Sequence, residues 1–246
     1  MHKFLYKYKS PLLKLKRLFN KVTGIEIIKY PTPELHRRIQ LIKNHDIDVV
    51  IDVGANIGQF GSEMRNMGFS GKIISFEPLK DAFLKLTKVS SKDPLWEVHN
   101  ISLGERDGKT YINIAQNSVS SSLLENLPQL TESAPGATFV NKEIVEVRRL
   151  DTIFKSLGIS ENNIYLKIDT QGYEKMVLEG AADSLQKIKG IQIEMALFPS
   201  YTKSLTFDET KKLLESKGFI LMALENGFYD KNTGKQLEAD GIFFKT

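Results

Sequence analysis

The amino-acid sequence predicts an α/β protein with a mostly parallel sheet, and three observations support this prediction. Apolar segments as long as buried strands alternate with segments of helical periodicity. A glycine turn, from Gly54 to Gly58, follows the first apolar segment. Two further strands come consecutively late in the chain, at Phe219–Glu225 and Asp240–Lys245. The alternation is typical of a parallel sheet with helices on both faces, and the last two strands predict an antiparallel ending.

Each element follows from its local pattern. Five near-continuous apolar runs are predicted as strands one to five: Ile47–Val53, Lys72–Glu77, Trp96–Ser102, Asn163–Asp169 and Gly190–Met195. Five segments with apolar residues at helical spacing are predicted as helices: Glu34–Lys43, Gly58–Met67, Asp81–Val89, Glu174–Leu185 and Phe207–Lys217. Together with the last two strands, these elements predict a seven-stranded sheet.

An inserted pair of strands interrupts the alternation. Lys109–Ala115 and Glu143–Arg148 alternate apolar and polar residues, as half-exposed strands do, and they predict an antiparallel pair. The segment that joins them is rich in serine, at positions 118 and 120–122. Two alternatives remain open for this segment. It is a lid or substrate-contacting arm beyond the strand ends, or it is a solvated insertion.

Composition excludes several kinds of site. The chain has 246 residues, which suits one α/β domain with a modest extension. It contains no cysteine, so a disulfide, a thiolate zinc site and a cysteine nucleophile are excluded. The four histidines, at positions 2, 36, 45 and 99, have no metal-ligand spacing. We expect a cytoplasmic protein, because no apolar run approaches the ~20 residues that span a bilayer or resembles the core of a signal peptide.

Basic residues are concentrated in the first part of the chain. Residues 1–22 contain seven lysines and arginines and no acid, so with a total net charge of +4 the remainder carries −3. We therefore expect residues 1–30 to form a basic amphipathic extension and residues 31–246 to form the domain. A mildly acidic domain argues against nucleic acid as its partner.

The basic extension has apolar residues that would form one stripe if the segment is helical: Leu12, Leu15, Phe19 and Val22. Two alternatives follow. The stripe lies on an anionic membrane surface, which would hold the protein peripherally at the inner face of the membrane. Otherwise it packs on its own domain or on a second subunit, which would give a homodimer.

The turn from Gly54 to Gly58 predicts a site for a cofactor that contains a nucleoside. Glycine lets the backbone approach a ligand closely, and Glu77 ends the second strand with a carboxylate that suits ribose hydroxyls. Dinucleotides and S-adenosylmethionine are both bound in this way. Asn56 occupies the place of the middle glycine of a dinucleotide turn and would crowd a pyrophosphate, so the turn favours S-adenosylmethionine. A purely structural turn is the simpler alternative.

A second group of polar residues follows the fourth predicted strand. Asp169 ends this strand, and Gly172 permits a tight turn beside it. Ligands of open α/β sheets bind beyond the carboxyl ends of the strands, near the point where the strand order reverses. Asp169 is therefore a candidate site residue. Glu174 has an equally good structural explanation, because an acid stabilises the start of a helix.

Several segments carry a resemblance to a known family: residues 51–60, 76–78, 100–102, the serine run, 149–151, 166–174, 177–181, 193–194 and 217–219. Through these, about residues 47–246 resemble the FkbM-type S-adenosylmethionine-dependent methyltransferases, whereas the basic extension does not. The resemblance implies a Rossmann-like class I methyltransferase fold with S-adenosylmethionine as cofactor. It also implies methylation, usually of a hydroxyl on a sugar, a glycan or a secondary metabolite. Tyr173 stands where members of the family have alanine, which puts the pocket wall in doubt.

The resemblance also implies which residues bind the cofactor. Gly54, Asn56 and Gly58 are expected to line its methionine portion, and Glu77 to accept hydrogen bonds from its ribose. The complete set of expected cofactor-binding residues is Asp52, Gly54, Asn56, Gly58, Glu77, Asn100 and Ser102. The last two follow strand three and are candidates for the adenine end.

An alcohol acceptor must lose its proton during methyl transfer, so a base is required. Asp169 is our first candidate, either as the base or as the group that orients the acceptor, and Glu194 and His99 are the reserves. The alternative for Glu194 is a structural acid paired with Lys167, and the alternative for His99 is a half-buried strand residue. One Asp and one Glu give no metal-ligand spacing, so no metal is expected.

Two other functions stay open at this point. One is a dinucleotide-dependent oxidoreductase, which Asn56 and the two final strands disfavour. The other is a non-catalytic module that binds the cofactor or a biosynthetic complex. The residues do not separate a hydroxyl acceptor from a nitrogen acceptor.

Overall fold

The computed structural model describes residues 2–26, 28, 30–159 and 163–245, and only the backbone of residues 2–10 and 12. The chain divides into two compact units, Met1–Arg37 and Arg38–Thr246. The first unit contains a long helix over most of the basic extension. The apolar side chains of Leu15, Phe19 and Val22 on this helix are exposed, whereas that of Leu12 lies outside the described part. None of the helices in the described ranges is long and apolar enough to cross a membrane.

Within the described part of the chain, ten strands form two sheets. In chain order the strands are β1 (Val49–Val53), β2 (Lys72–Phe76), β3 (Trp96–His99), β4 (Ser102–Leu103), β5 (Gly108–Ala115), β6 (Phe139–Arg148), β7 (Ile164–Ile168), β8 (Ile188–Ala196), β9 (Phe219–Asn226) and β10 (Glu238–Lys245). The larger sheet has the order β3-β2-β1-β7-β8-β10-β9. Its strands are parallel except β10, which pairs antiparallel with both β8 and β9. The mostly parallel seven-stranded sheet of the predicted class I methyltransferase fold is thereby confirmed.

Eight α-helices accompany the strands in the described ranges: α1 (His2–Thr23), α2 (Pro33–Asn44), α3 (Gln59–Asn66), α4 (Lys80–Ser90), α5 (Pro128–Ser133), α6 (Leu150–Ile153), α7 (Glu174–Gly180) and α8 (Phe207–Ser216). The start of α8 is fixed by a capping box. Thr206 Oγ1 accepts from the backbone N–H of Glu209, while the Glu209 carboxylate accepts from the backbone N–H of Thr206. Such a box satisfies two backbone donors that the helix leaves without partners.

The smaller sheet has the order β4-β6-β5, in which β5 pairs antiparallel with β6 and β6 pairs parallel with β4. The strand predicted at Trp96–Ser102 is therefore wrong in its second half. It leaves the large sheet after His99, and Ser102–Leu103 pairs with β6 instead. The smaller sheet extends beyond the carboxyl end of the large one, where it supplies one wall of the cleft described below.

The helix predicted at Glu174–Leu185 is also shorter than expected, because it ends at Gly180. A β-carbon on Gly180 would overlap the carbonyl of Gly104, so the end of the helix packs directly on the chain that follows β4. The chain then turns, and Ser184–Lys187 forms a separate 3-10 turn before β8.

Apolar side chains cover both faces of the large sheet. Ile51, Leu166 and Ile193 lie on one face, and Val50 and Tyr165 on the other. Successive side chains of a strand point to opposite faces, and both faces of this sheet are covered. A polar residue within one of its inner strands is therefore buried among apolar groups, whichever way it points. Asp52, Lys167 and Gln192 are buried in this way. Asp52 and Lys167 lie close to the carboxyl ends of β1 and β7, where the candidate site is formed, and Gln192 is in register with Lys167.

Candidate cofactor and acceptor cleft

A cleft of about 290 Å³ lies at the carboxyl ends of β1, β2 and β7. This is the edge at which ligands of parallel α/β sheets bind. Five of the residues expected from the sequence line the cleft together: Gly54, Asn56, Glu77, Ser102 and Asp169. They come from four separate segments of the sequence, namely the loops after β1, β2 and β7 and the strand β4, and the fold brings these segments to one edge.

The loops after β1 and β7 touch at Gly54. This residue has a φ of 77°, a left-handed conformation that strains other residues. A β-carbon at Gly54 would overlap the main-chain carbonyl oxygen of Asp169. Glycine is therefore required here for two reasons, backbone conformation and close approach. The contact places the turn after β1 next to the carboxylate of Asp169.

Glu77 is held at the tip of β2 by two backbone donors. Its Oε2 accepts from the N–H of Asn56 at 2.8 Å, and its Oε1 accepts from the N–H of Leu79 at 2.8 Å. Burial raises the pKa of Glu77 to about 7, although both hydrogen bonds act to lower it. Each carboxylate oxygen keeps a second lone pair for a ligand hydroxyl. The position thus suits the ribose contact expected from the sequence.

Asn100 and Gly58 support the cleft without lining it. The side-chain amide of Asn100 donates to the carbonyls of Glu77 and Pro78, at 2.9 Å each. Gly58 is the residue that precedes α3, and its N–H donates to the carbonyl of Ala55. Both residues hold the loops that carry Glu77 and Asn56, whereas Ser102 itself lines the cleft.

Asp52 lies beneath the cleft floor and is fully buried. Its carboxylate is 3.3 Å from the ammonium of Lys167, and Ser75 donates to it at 3.4 Å. Direct contact between Asp52 and a cofactor, as expected from the turn motif, is therefore at odds with its position. The geometry of Asp52 indicates instead that its carboxylate pairs with the Lys167 ammonium and holds it in place.

Lys167 connects this buried acid to the cleft. The ammonium is 3.3 Å from Asp52 and 3.3 Å from Asp169, and it lies 5.5 Å from the centre of the Phe60 ring. Burial alone would lower the pKa of Lys167, but the attraction of Asp169, Asp52 and Asp240 raises it above its ordinary value. The lysine is thus a protonated cation in the wall of the cleft. The sequence had suggested Glu194 as its partner, and the pairing with the two aspartates corrects that alternative.

Buried polar groups continue from Lys167 across the sheet. Lys167 is in register with Asp52 on β1 and with Gln192 on β8. The Tyr165 hydroxyl donates to Gln192 at 3.1 Å, and the Gln192 amide donates to Asp240 at 3.2 Å. Burial raises the pKa of Asp240 to about 6. Lys167, Gln192 and Asp240 all line the cleft.

Asp169 is the carboxylate best placed to meet an acceptor. Its side chain is 40% exposed, and Oδ1 accepts from the Gln171 amide at 3.0 Å, while Oδ2 faces Lys167. The Gln171 amide also donates to Glu194 at 3.1 Å. Burial, together with the carboxyls of Glu238 and Asp169, raises the pKa of Glu194 well above its ordinary value. The charged form of the Glu194 carboxyl is therefore less favourable than it would be in water.

His99 does not join this group. It lies on the edge strand β3, where its ring stacks on Phe76 and its Nε2 is 2.8 Å from a carboxylate oxygen of Glu97. It is absent from the cleft wall. Of the three residues considered as a base, the structure brings together Asp169 and Glu194 but not His99. Among the described residues, no cluster of three or more Asp, Glu or His side chains is arranged to hold a metal ion.

The serine-rich segment reaches the cleft. Ser118, Val119 and Ser121 line it. The segment is attached to the loop after β7, because the Ser122 hydroxyl donates to the carbonyl of Gln171 at 2.7 Å. Tyr201 reinforces the same loop through a hydrogen bond of 2.9 Å to the Gln171 side chain. This placement corresponds to the substrate-contacting alternative more closely than to a solvated insertion.

Gln192, Asp240 and Tyr201 were not expected from the sequence. Gln192 and Asp240 are polar residues flanked by apolar segments of their strands, which is a usable signal for a site within a sheet. Tyr201 gives no such signal, because it lies in a loop and reaches the site through the fold.

One family model and two curated proteins match parts of this chain. The family model for the methyltransferase FkbM domain matches residues 52–221. Methyltransferase 1 of Beauveria bassiana is 25% identical over 209 residues, which cover 76% of this chain and 80% of that protein. A part of the AMB antimetabolite synthetase AmbE of Pseudomonas aeruginosa is 28% identical over 179 residues, which cover 60% of this chain and 8% of AmbE.

Two solved structures have a similar course of the chain. TrmK of M. capricolum, solved with S-adenosyl-homocysteine, has 11% sequence identity and a TM-score of 0.48. The match covers 90% of this chain and 70% of the TrmK chain. TehB of Haemophilus influenzae has 10% sequence identity and a TM-score of 0.47. The match covers 94% of this chain and 67% of the TehB chain.

Proposed function

The chain belongs to the family of FkbM methyltransferases, and on this premise we propose that it transfers a methyl group from S-adenosylmethionine to a hydroxyl. The acceptor hydroxyl belongs to a sugar, a glycan or a secondary metabolite. The observation that carries the proposal is the half-exposed carboxylate of Asp169, which lies in the cleft wall beside the turn after β1.

The residues present fit S-adenosylmethionine. Gly54 lines the cleft with main-chain atoms alone, and Glu77 keeps a free lone pair on each oxygen for the ribose hydroxyls. Asn56 lines the cleft next to them and supports the methionine portion. When bound, the cofactor supplies a methyl group on a positively charged sulfur. A dinucleotide is disfavoured, because Asn56 stands where its pyrophosphate would need glycine.

The chain's own contribution to the reaction is to orient the acceptor and to remove its proton. Asp169 takes the hydroxyl proton as the oxygen is methylated. Lys167 and Gln171 hold its two oxygens, so the carboxylate has a fixed orientation toward the cleft. Glu194 is the weaker candidate for the base, because it does not line the cleft and burial disfavours its charged form.

An activity test with methyl-labelled S-adenosylmethionine and a panel of sugar and alcohol acceptors examines this proposal. We expect product from a hydroxyl acceptor, and we expect Asp169→Asn to lower turnover by about 10²-fold or more, the scale of a lost positioned base. Calorimetry should give the same affinity for S-adenosylhomocysteine in the unaltered protein and in Asp169→Asn. Asp208→Asn, which removes an exposed acid on α8, is the matched control and should keep full activity.

Different failures have different meanings. Full turnover in Asp169→Asn would remove Asp169 from the chemistry. A loss of cofactor binding in that variant would assign it to the cofactor site instead. Methylation of amines but not of hydroxyls would overturn the acceptor class. Heat of binding from NAD, without heat from S-adenosylhomocysteine, would favour the oxidoreductase alternative.

A further inference from the structure

A second cleft, of about 200 Å³, lies next to the first. Tyr173 and Leu123 line both clefts, so these two side chains stand between them. Leu123 comes from the serine-rich segment and Tyr173 from the start of α7. A molecule that occupies the first cleft therefore has a neighbouring space separated from it by side chains alone.

Tyr173 is the main part of this partition. Its hydroxyl donates to the carboxylate of Glu105, and its ring packs against Gly104, where a β-carbon would come within 2.9 Å of a ring carbon. Burial and the hydrogen bond to Glu105 raise the pKa of the Tyr173 phenol. The phenol therefore remains a protonated donor.

The two clefts differ in charge. The second is lined by three cationic side chains, Arg106, Lys109 and Lys203, and by one acid, Glu105. Glu105 already accepts from Tyr173 and is 3.7 Å from Arg106.

Among the charged side chains of the first cleft, four are acids, Glu63, Glu77, Asp169 and Asp240, and two are cations, Arg38 and Lys167. An anionic group is thus attracted to the second cleft and repelled from the acids of the first.

We propose that the second cleft binds an acidic group of the acceptor, a carboxylate or a phosphate, while the acceptor hydroxyl lies in the first cleft near Asp169. This rests on the proposed function, which supplies the hydroxyl. A uronic acid and a sugar phosphate are simple acceptors that carry both a hydroxyl and an acidic group. Lys109 and Lys203 bind the acidic group, and Tyr173 sets the distance between that group and the hydroxyl.

Ligand-observed saturation-transfer NMR tests the proposal without any need for catalysis. The probes are methyl β-D-glucuronide, glucose 6-phosphate and the neutral methyl β-D-glucoside. We expect the protein to bind at least one acidic probe about tenfold more tightly than the neutral one, as two solvent-accessible ion pairs allow. The two acidic probes distinguish a carboxylate from a phosphate.

The decisive variant is Lys109→Gln/Lys203→Gln, which should remove the preference for the acidic probe. The matched control is Lys88→Gln/Lys189→Gln, which removes the same charge from exposed positions outside both clefts and should keep the preference. Circular dichroism checks that both variants are folded. Equal binding of acidic and neutral probes by the unaltered protein overturns the proposal, and so does a preference that survives in Lys109→Gln/Lys203→Gln.

The outcome is independent of the methylation test. Selective binding of an acidic sugar that is never methylated would leave the second cleft as a binding site and contradict the proposed function. Methylation of neutral alcohols with no preference for acidic sugars would support the proposed function and contradict the proposed role of the second cleft.

Discussion

Lys167 and Asp52 form a buried ion pair inside the large sheet, with 3.3 Å between the ammonium nitrogen and a carboxylate oxygen. Removing one partner of a buried pair leaves the other charge uncompensated and costs roughly 3–5 kcal/mol. We therefore expect Lys167→Met to lower the free energy of unfolding by about 3 kcal/mol or more. Urea denaturation followed by circular dichroism measures the loss.

The double variant Asp52→Asn/Lys167→Met is the control for this prediction. Because the asparagine carries no charge, it should recover part of the stability lost in Lys167→Met. Burial already raises the pKa of Asp52, so its charged form is the costly one. If the double variant is no more stable than Lys167→Met, the cost arises from packing and not from the unpaired acid.

Gly54→Ala should be more harmful than an alanine at another left-handed glycine. Gly54 and Gly68 have φ values of 77° and 85°, but nothing lies within 4 Å of the β-carbon position of Gly68. Gly68→Ala should therefore cost about 1 kcal/mol of stability from backbone strain alone. Gly54→Ala adds an overlap with the Asp169 carbonyl and should also abolish binding of S-adenosylhomocysteine in calorimetry. Equal losses in the two variants would show that the contact between the two loops is unimportant.

Cofactor affinity should depend on pH through Glu77. Its pKa in the free protein is raised to about 7, so below that pH the side chain is largely protonated and loses acceptor capacity toward the ribose. We expect the affinity for S-adenosylhomocysteine to rise between about pH 6 and about pH 8. Glu77→Gln should bind more weakly at the upper end by about 1–3 kcal/mol and lack this rise. If the affinity of Glu77→Gln rises with pH in the same way, a group other than Glu77 causes the pH dependence.

The contribution of Glu77 to the free energy of unfolding should fall as the pH rises, whereas its contribution to cofactor affinity should increase. A carboxyl whose pKa is raised in the folded state stabilises the fold most at pH values below its ordinary pKa. That contribution is lost as the pH rises through about 7. Stability curves of the unaltered protein and of Glu77→Gln, measured by denaturation across this range, should therefore converge at low pH and separate at high pH.

We propose that α1 binds anionic membranes. Residues 1–22 carry seven basic residues and no acid, and the described apolar side chains Leu15, Phe19 and Val22 on α1 are exposed. Each basic residue near an anionic surface contributes on the order of 1 kcal/mol. In flotation assays we expect binding to vesicles that contain phosphatidylserine, but not to neutral phosphatidylcholine vesicles, and release at high salt.

Deletion of residues 1–22 should abolish this binding and leave the thermal unfolding of the domain unchanged. Similar flotation of the full-length and the shortened chain would refute the membrane proposal. Dissociation of a dimer on deletion, measured by light scattering, would favour the alternative of packing against a second subunit.

Much of the large sheet could be predicted from the sequence because its strands are short apolar runs and its helices are periodic. These signals are local, and for β1 and β7 they gave nearly the observed bounds. The end of α7 at Gly180 could not be predicted in this way, since it depends on a contact with Gly104, which is distant in sequence. The departure of Ser102–Leu103 from the large sheet likewise depends on its pairing with β6.

The site shows the same division. Gly54, Glu77 and Asp169 could be found because each terminates a strand at the edge where ligands bind. The pairing of Lys167 with Asp52 and the link from Gln192 to Asp240 join different strands, so no local pattern contains them. His99 has the right chemistry but faces Glu97 on an edge strand, and only the three-dimensional arrangement removes it from the candidates.

The position of β10 has a consequence for how the chain reaches its folded state. β10 is made after β9, yet it lies between β8 and β9 and pairs with both. Until Glu238–Lys245 has emerged from the ribosome, β8 has an open hydrogen-bonding edge, and Asp240 is missing from the cleft. Nascent chains stalled before this point would therefore expose an apolar strand edge that can pair with other chains. Chaperones that protect such edges would be needed until the final strand is inserted.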